Sequence, residues 1–269
     1  MNILFIGDIV GRPGRHAVAR WLPGLCEQHG LDLVIANAEN ASGGLGVLPE
    51  TLGELQKMGV HAFTLGNHTW RKEEITAHLD RVQKCGSVDA MPTVRPANFP
   101  QGVPGRGAAV VELTNGRRAG ILNVIGRVFM EACDCPFQRA DEELAWLREE
   151  CNVVLVDIHA EASSEKVALG WHLDGRCTAV VGTHTHIQTA DEWILPQGTG
   201  YITDVGMCGP YHSVIGVRRE RVIEKFMTGL PRRFDLAKGP ACFSAVLIEA
   251  DEATGRAVRM ERFLFRDED

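Results

Sequence analysis

The segment NILFIGD, residues 2–8, decides the fold of this chain. Its apolar run followed by glycine predicts a buried β-strand, and the acidic Asp8 comes directly after it. Four further apolar runs are followed by polar side chains that can bind metals: LVIAN (33–37) before Glu39, AFTLG (62–66) before Asn67, VVLVDI (153–158) before His159 and AVVGT (179–183) before His184. In an open α/β sheet, ligands gather beyond the carboxyl ends of the strands, so we expect these side chains to converge.

Amphipathic segments alternate with these strands. They predict helices near 12–29, 49–58, 72–81, 138–150 and 164–173. Strands joined by helices imply parallel pairing with helical crossovers. Further strands are predicted at 108–113 and 119–125, around the turn Asn115-Gly116, and at 200–203, 243–250 and 257–265. Because no repeat or low-complexity linker interrupts the chain, we predict one domain over residues 1–269.

Composition excludes several classes of protein. The 269 residues are 45% hydrophobic, which is enough for a large core. The net charge of −7 without a basic block argues against tracking a long nucleic acid but leaves a small phosphorylated substrate open. No segment predicts a signal peptide or a membrane span. The eight cysteines lack a CxxC pair, so we expect reduced thiols, including Cys133 and Cys135, and a cytoplasmic protein.

The strand-end residues have the chemistry of a metal site. The candidate ligands are Asp8, Glu39, Asn40, Asn67, His159, His184 and His186. Carboxylate, amide oxygen and imidazole suit Mn, Fe, Zn or Mg, and the absence of thiolates argues against a structural zinc site. Seven candidates exceed what one ion needs. Two ions roughly 3.5–4 Å apart, bridged by Glu39, would use them all.

Taken singly, each residue has a simpler interpretation. Asp8 could cap a turn or a helix, Asn67 could tolerate a positive φ, and His159 could be a hydrogen-bonded core histidine. The pair His184-x-His186 is more informative, because residues two apart in an extended segment point to the same side. The sequence therefore predicts that both imidazoles face one site.

The order of these motifs resembles the calcineurin-like metallophosphoesterase superfamily, whose pattern is D-x-H, GD, GNH, H and GHxH. The matching segments are Gly7-Asp8, Glu39-Asn40, Gly66-Asn67-His68, His159 and Gly182-Thr-His-Thr-His186. Within the superfamily, GDIVG (7–11), Ala38-Glu-Asn, Arg95-Pro-Ala-Asn-Phe and Asp204-Val-Gly-Met look like the bacterial YmdB-type branch. That branch hydrolyses phosphodiesters, including 2′,3′-cyclic nucleotides.

The resemblance implies a four-layer α/β/β/α sandwich of two mixed sheets. It also implies two divalent or mixed-valent ions, with iron or manganese favoured and zinc or magnesium possible, and it suggests a homo-oligomer. Val10 occupies the place of the histidine of D-x-H, so the resemblance implies that Asn40 replaces it and that Val10 only packs. Metal one would then bind Asp8, Glu39, Asn40 and His186, and metal two would bind Glu39, Asn67, His159 and His184.

The expected reaction is attack on phosphorus by a hydroxide that bridges the two ions. His68 would protonate the departing oxygen as general acid, or else would only orient a ligand or a water. Candidate residues at the substrate mouth are Asn98, Arg127, Phe129 and Tyr211, for which loop packing is the alternative.

Three other functions stay open at this point. The same site could serve a phosphomonoesterase or a nuclease, because fold and metals do not fix the substrate. The chain could instead be a metal-loaded regulatory or scaffold protein with incidental hydrolysis. An amidohydrolase also uses H-x-H, but that motif would be expected after the first strand, where this chain has Gly7-Asp8.

Overall fold

The computed structural model of the chain describes residues 1–85 and 91–267, without the side chains of residues 84 and 85. Its α-helices in this part of the chain are α1 (Gly11–His29), α2 (Pro49–Lys57), α3 (Glu74–Cys85), α4 (Pro136–Glu150), α5 (Ser163–His172) and α6 (Arg219–Thr228). A short 3₁₀ helix, Thr69–Arg71, precedes α3. The strands in chain order are β1 (Asn2–Ile6), β2 (Asp8–Ile9), β3 (Leu33–Asn37), β4 (Ala62–Thr64), β5 (Thr93–Val94), β6 (Ala108–Glu112), β7 (Arg118–Ile125), β8 (Val153–His159), β9 (Ala179–Thr183), β10 (Trp193–Ile194), β11 (Gly200–Ile202), β12 (Met207–Pro210), β13 (Ala241–Ala250) and β14 (Ala257–Arg266).

These strands form two mixed sheets. The first has the order β2-β12-β13-β1-β3-β4-β5, with β14 paired to β13. The second has the order β10-β11-β9-β8-β7-β6. Strands β1, β3, β4 and β5 run parallel in the first sheet, and β7, β8, β9 and β11 run parallel in the second. Each sheet therefore gathers the carboxyl ends of its parallel strands at one edge.

The two sheets pack face to face between layers of helices. In β1, Ile3 and Phe5 join an inner core with residues of the second sheet such as Leu155. The alternate residues of β1, Leu4 and Ile6, join the core formed with the first three helices. Because successive side chains of a strand point to opposite faces, a strand buried on both faces is apolar throughout. Helices α4 and α5 cover the outer face of the second sheet.

The predicted four-layer α/β/β/α sandwich of two mixed sheets is confirmed. One inner core joins both sheets. One domain over 1–269 stays a prediction. The packing role of Val10 is also confirmed, since it is 3% exposed and clusters with Met207 and Cys242.

The sequence patterns missed several elements. Strand β12 is only four residues long, too short to show a period. Helix α6 has apolar residues at helical spacing, Val222, Ile223, Phe226 and Met227, but of these it buries only Val222. The helix predicted for 72–81 instead begins at Glu74 and continues to Cys85. Within residues 1–85 and 91–267, no helix combines the length and apolarity needed to cross a bilayer.

Candidate metal centre

The seven candidate ligands follow strands of both sheets. Asp8 stands on β2 directly after β1, and Glu39 and Asn67 follow β3 and β4 of the first sheet. His159 ends β8, and His184 follows β9 of the second sheet. Glu39 lies 3.2 Å from His159, so the carboxyl edges of the two sheets meet at this point. The structure therefore brings these residues together at the strand ends, as the sequence predicted.

Three histidines present one nitrogen each to the inside of the site. The outer nitrogens have hydrogen-bond acceptors: Nδ1 of His159 lies 2.9 Å from Thr183 Oγ1, Nε2 of His184 lies 3.2 Å from Glu161, and Nδ1 of His186 lies 2.9 Å from the carbonyl of Ile215. The hydroxyl of Thr183 donates to Asp157 and therefore accepts from His159. In the neutral imidazoles, the inner nitrogens are left with free lone pairs. Metal-binding histidines are held in the same manner.

One group of donor atoms surrounds Nε2 of His159. Asn67 Oδ1 lies 2.9 Å from this nitrogen, His184 Nδ1 lies 3.1 Å away, and Glu39 Oε1 lies 3.2 Å away. Donor atoms of Glu39, His159 and His184 all lie within 4.8 Å of one another. This group matches the set that the sequence analysis gave to metal two.

A second group lies around Asp8. Its Oδ1 atom is buried, has no hydrogen-bond partner in the described part of the chain and lies 3.6 Å from Nε2 of His186. Asn40 turns its amide nitrogen toward His186 at 3.5 Å, while its oxygen lies 2.8 Å from Nδ1 of His68. To bind a metal ion through its oxygen, Asn40 would have to rotate its amide by half a turn. Which of the two amide atoms is oxygen follows from the hydrogen bonds that they make.

The chemistry of these residues fits divalent cations. An unpaired buried carboxylate oxygen and several inward lone pairs are unfavourable neighbours unless a positive charge lies between them. Gly66 adds to the fit because it leaves room: a β-carbon there would lie 2.3 Å from His159 Nε2 and 2.4 Å from Glu39 Oε2. The residues therefore form a cradle of oxygen and nitrogen donors.

The electrostatics of the site favour positive charge. Burial raises the pKa of Glu39, but the neighbouring His159 and His68 outweigh burial and hold that pKa well below its usual value. Burial lowers the pKa of His186, but the charge of Asp8 outweighs it and raises that pKa to about 9. His184 behaves differently, because burial and the adjacent His159 both lower its pKa, to about 3. The two carboxylates thus attract a cation, whether a proton or a metal ion.

The loop that carries His184 and His186 is not extended, so that expectation was wrong. The two residues have φ angles of 95° and 66°, in the left-handed region that side chains rarely adopt. Both imidazoles still reach the site, but through a turn after β9. Asp204 holds this turn, since its carboxylate accepts hydrogen bonds from the Thr185 backbone at 3.1 Å and the Thr185 hydroxyl at 2.6 Å.

Asp204 is itself held by a buried ion pair. Its carboxylate lies 2.7 Å from Nζ of Lys166, and both side chains are almost completely buried. It also accepts a hydrogen bond from the backbone nitrogen of Gly206 at 2.8 Å. The motif Asp204-Val-Gly-Met marked this position in the sequence, but not its contact with the histidine loop.

We expect Asp204→Asn to weaken Mn²⁺ binding about 10- to 100-fold, the usual effect of losing a residue that orients ligands. The free energy of unfolding should fall by about 3–5 kcal/mol, because Lys166 would keep a buried, unpaired charge. Calorimetric titration with Mn²⁺ and urea denaturation measure the two effects. Lys166→Met is the control, since it removes the charge partner but keeps the bonds to Thr185. Equal losses of Mn²⁺ affinity in both variants would mean that the loop does not depend on Asp204 directly.

Asp157 joins the two sheets beneath the site. It accepts hydrogen bonds from Thr183 in the second sheet, and from Thr64 and Asn37 in the first. Burial raises its pKa to about 6. Sequence reasoning missed this residue, although an acidic side chain within the apolar run 153–158 was a usable signal.

His68 lies beside the cradle and is partly exposed. Its backbone nitrogen donates to Glu39 Oε2 at 2.9 Å, and its Nδ1 lies 2.8 Å from Asn40 Oδ1 and 3.2 Å from Glu39 Oε1. Its carbonyl accepts from the backbone nitrogen of Arg71. Within residues 1–85 and 91–267, no hydrogen bond or ion pair involves Nε2 of His68, which leaves that nitrogen available to a substrate.

Two of the four predicted mouth residues make other contacts within the chain. Asn98 is fully buried, and its amide bonds the backbone of Ile125 in both directions, at 2.7 Å and 2.8 Å. It joins two segments of backbone, so the prediction that it contacts substrate does not fit its position. The ring of Tyr211 is covered by the guanidinium of Arg266, 4.2 Å from the ring centroid.

Arg127 and Phe129 follow β7, next to the site. The last residue of β7, Ile125, pairs with His159. Cys133, on the same connection, is a free thiol whose pKa is raised to about 11, chiefly by burial. Cys135 is also free, so the prediction of free thiols at both positions is confirmed.

Solved structures of two bacterial proteins share this architecture. A hypothetical protein from Thermus thermophilus superposes with a TM-score of 0.89 at 42% identity, covering 99% of both chains. A phosphatase from Mycoplasma pneumoniae superposes with a TM-score of 0.89 at 34% identity, covering 99% of this chain and 93% of that chain. The fold and the cradle of donors define a protein of the metallophosphoesterase class.

Sequence comparison identifies the family within the metallophosphoesterase class. The family model described as YmdB-like protein matches residues 4–263. The 2′,3′-cyclic-nucleotide 2′-phosphodiesterase of Bacillus subtilis is 47% identical over 268 residues, which cover 100% of this chain and 98% of the relative. This chain belongs to the YmdB-like family, and the resemblance drawn from its motifs is confirmed.

Proposed function

We propose that this chain is a metal-dependent phosphodiesterase that hydrolyses small phosphodiesters, with 2′,3′-cyclic nucleotides as the favoured substrate class. The observation that carries the proposal is the convergence of two buried carboxylates and three inward imidazole nitrogens at the junction of the two sheets. The activity named for the relative from Bacillus subtilis supports the choice of substrate.

Two divalent ions, iron or manganese by preference, would be held by the two donor groups. Asp8, Asn40 and His186 would bind one ion, Asn67, His159 and His184 would bind the other, and Glu39 would serve both. When bound, such ions lower the pKa of water and offset the negative charge of the phosphate. Carboxylate, amide and imidazole donors suit these metals, whereas no cysteine belongs to the set.

His68 is proposed as the general acid. When water adds to phosphorus, the bond from phosphorus to the departing ribose oxygen breaks, and that oxygen needs a proton. With the Asn40 oxygen turned toward the ion, the Nδ1 proton of His68 is held by the Glu39 carboxylate, 3.2 Å away, so the ring is oriented and Nε2 can give a proton to the oxygen.

A substrate panel tests the proposal. Protein loaded with Mn²⁺ or Fe²⁺ should hydrolyse bis-(4-nitrophenyl) phosphate much faster than 4-nitrophenyl phosphate. It should also prefer 2′,3′-cyclic to 3′,5′-cyclic nucleotides, and chelator-treated protein should be inactive. Release of 4-nitrophenol and chromatography of the nucleotide products measure these rates. Equal or reversed rates on the diester and the monoester would instead support a phosphomonoesterase.

Cellular placement and assembly remain proposals. The cysteines with described side chains are all free, as in a reducing cytoplasm. A homo-oligomer of this single domain stays a prediction, which light scattering would test.

A further inference from the structure

The connection after β7 begins beside the metal centre. Its first residue, Gly126, donates a backbone hydrogen bond to the carbonyl of His159 at 3.0 Å. Gly126 has no room for a side chain, because a β-carbon there would lie 2.5 Å from Glu165 Oε2 and 2.6 Å from the β-carbon of Ala160. The path of residues 126–130 is thus fixed at its start.

A buried carboxylate holds the next part of this segment. Glu165, in the first turn of α5, is 9% exposed. Both of its oxygens accept from the Arg127 backbone nitrogen at 3.0 Å, and Oε2 also accepts from that of Val128 at 3.2 Å. A carboxylate with several backbone donors is a strong anchor. Its bonds hold the backbone immediately before Phe129.

Phe129 itself is in an unfavourable state. It has a φ angle of 61°, in the left-handed region, and its side chain is 89% exposed. Neither strain nor exposure of a large aromatic ring favours folding. Trp70, another exposed aromatic residue, differs because its ring packs against Phe99 with centroids 5.9 Å apart. A segment held so firmly around an unpacked, strained ring indicates a function for the ring.

We propose that Phe129 is a stacking surface for the nucleobase of the substrate and that Glu165 is the residue that positions it. The proposal rests on the proposed function, to which it adds recognition of the base. Phe129 lies three residues from Gly126, and at most about 3.6 Å per residue separates their α-carbons. The ring is therefore within reach of a base joined through one ribose to a phosphate at the metal centre. Stacking on an aromatic ring accepts any base.

The test compares substrates with and without a base. The substrates are 2′,3′-cyclic AMP and the five-membered cyclic phosphodiester of glycerol. Phe129→Ala should raise KM for the nucleotide roughly 5- to 150-fold, the range for one lost base stack, with kcat and the glycerol substrate little changed. Phe129→Tyr should restore KM. Glu165→Gln should raise KM for the nucleotide and leave the glycerol substrate little changed. A merely structural change would not show this dependence on the base.

The matched control is Phe226→Ala on α6, which removes an aromatic ring that is 78% exposed and should leave both KM values unchanged. Equal effects of Phe129→Ala on both substrates, or none, would overturn the proposal. A change of oligomeric state in Phe129→Ala would also overturn it and assign the ring to an interface between copies. If the wild type hydrolyses neither substrate, the proposed function fails. In that case, calorimetric titrations with adenosine 3′-monophosphate and with inorganic phosphate compare the two affinities and test base recognition independently of hydrolysis.

Discussion

Glu39→Gln is expected to abolish metal binding at the centre, with affinity for Mn²⁺ reduced by more than about 100-fold, the upper range for loss of a supporting residue alone. Glu39 is 1% exposed, and its two oxygens contact His159 and His68. An amide has no negative charge and offers only one oxygen, so it cannot serve two ions as a carboxylate can. Hydrolysis of bis-(4-nitrophenyl) phosphate should fall with metal content.

Elemental analysis and calorimetric titration with Mn²⁺ measure this loss. The control is Glu54→Gln, the same substitution in a half-exposed surface ion pair with Arg15, which should keep full metal content. Circular dichroism shows whether each variant is folded. Full occupancy of two ions in folded Glu39→Gln protein would refute the role of Glu39 as the shared ligand.

The rule that ligands gather at strand ends predicted which side chains the structure brings together around Asp8 and Glu39. It succeeds because each parallel strand must end at the same edge, whichever side chains fill its interior. The apolar run 2–6 predicts a strand buried on both faces, and the structure places β1 between the inner core and the helices. How the two sheets pack against each other depends on residues distant in sequence. Only the family resemblance predicted this packing.

Residues that support the centre were harder to predict. Asp157 and Asp204 act through partners that are distant in sequence, Asn37 for one and Lys166 for the other. A polar residue within an apolar segment signals that a partner exists but not which one. The backbone around His184 was also unpredictable, because a left-handed turn depends on the bonds that Asp204 makes with Thr185.

Asn98 shows the opposite failure. The sequence analysis placed it at the substrate mouth, yet its amide bonds the backbone at Ile125 and Asp134. An asparagine amide matches the hydrogen-bonding groups of a peptide unit, so it can join two segments as an additional strand residue would. Sequence alone does not distinguish these two uses of the same side chain.

His68→Ala is expected to keep both metal ions and to lower kcat about 10²- to 10⁴-fold on 2′,3′-cyclic AMP, the usual contribution of a general acid. The reason lies in the geometry: Nδ1 of His68 is held by Glu39, while Nε2 makes no hydrogen bond with the described residues 1–85 and 91–267. A ribose oxygen leaves poorly without a proton, whereas 4-nitrophenolate leaves readily. The loss on bis-(4-nitrophenyl) phosphate should therefore be much smaller than the loss on the nucleotide.

The ratio of the losses in rate on the two substrates distinguishes a histidine that protonates the departing oxygen from one that only orients a ligand or a water. A histidine that only orients a ligand or a water would, when removed, slow both substrates alike, because both need the same attacking water. His16→Ala, which removes an exposed histidine on α1, is the control and should change neither rate nor metal content. Loss of metal from His68→Ala would instead show that its bonds to Asn40 and Glu39 hold the cradle together, and His68 would then be a structural support of the centre.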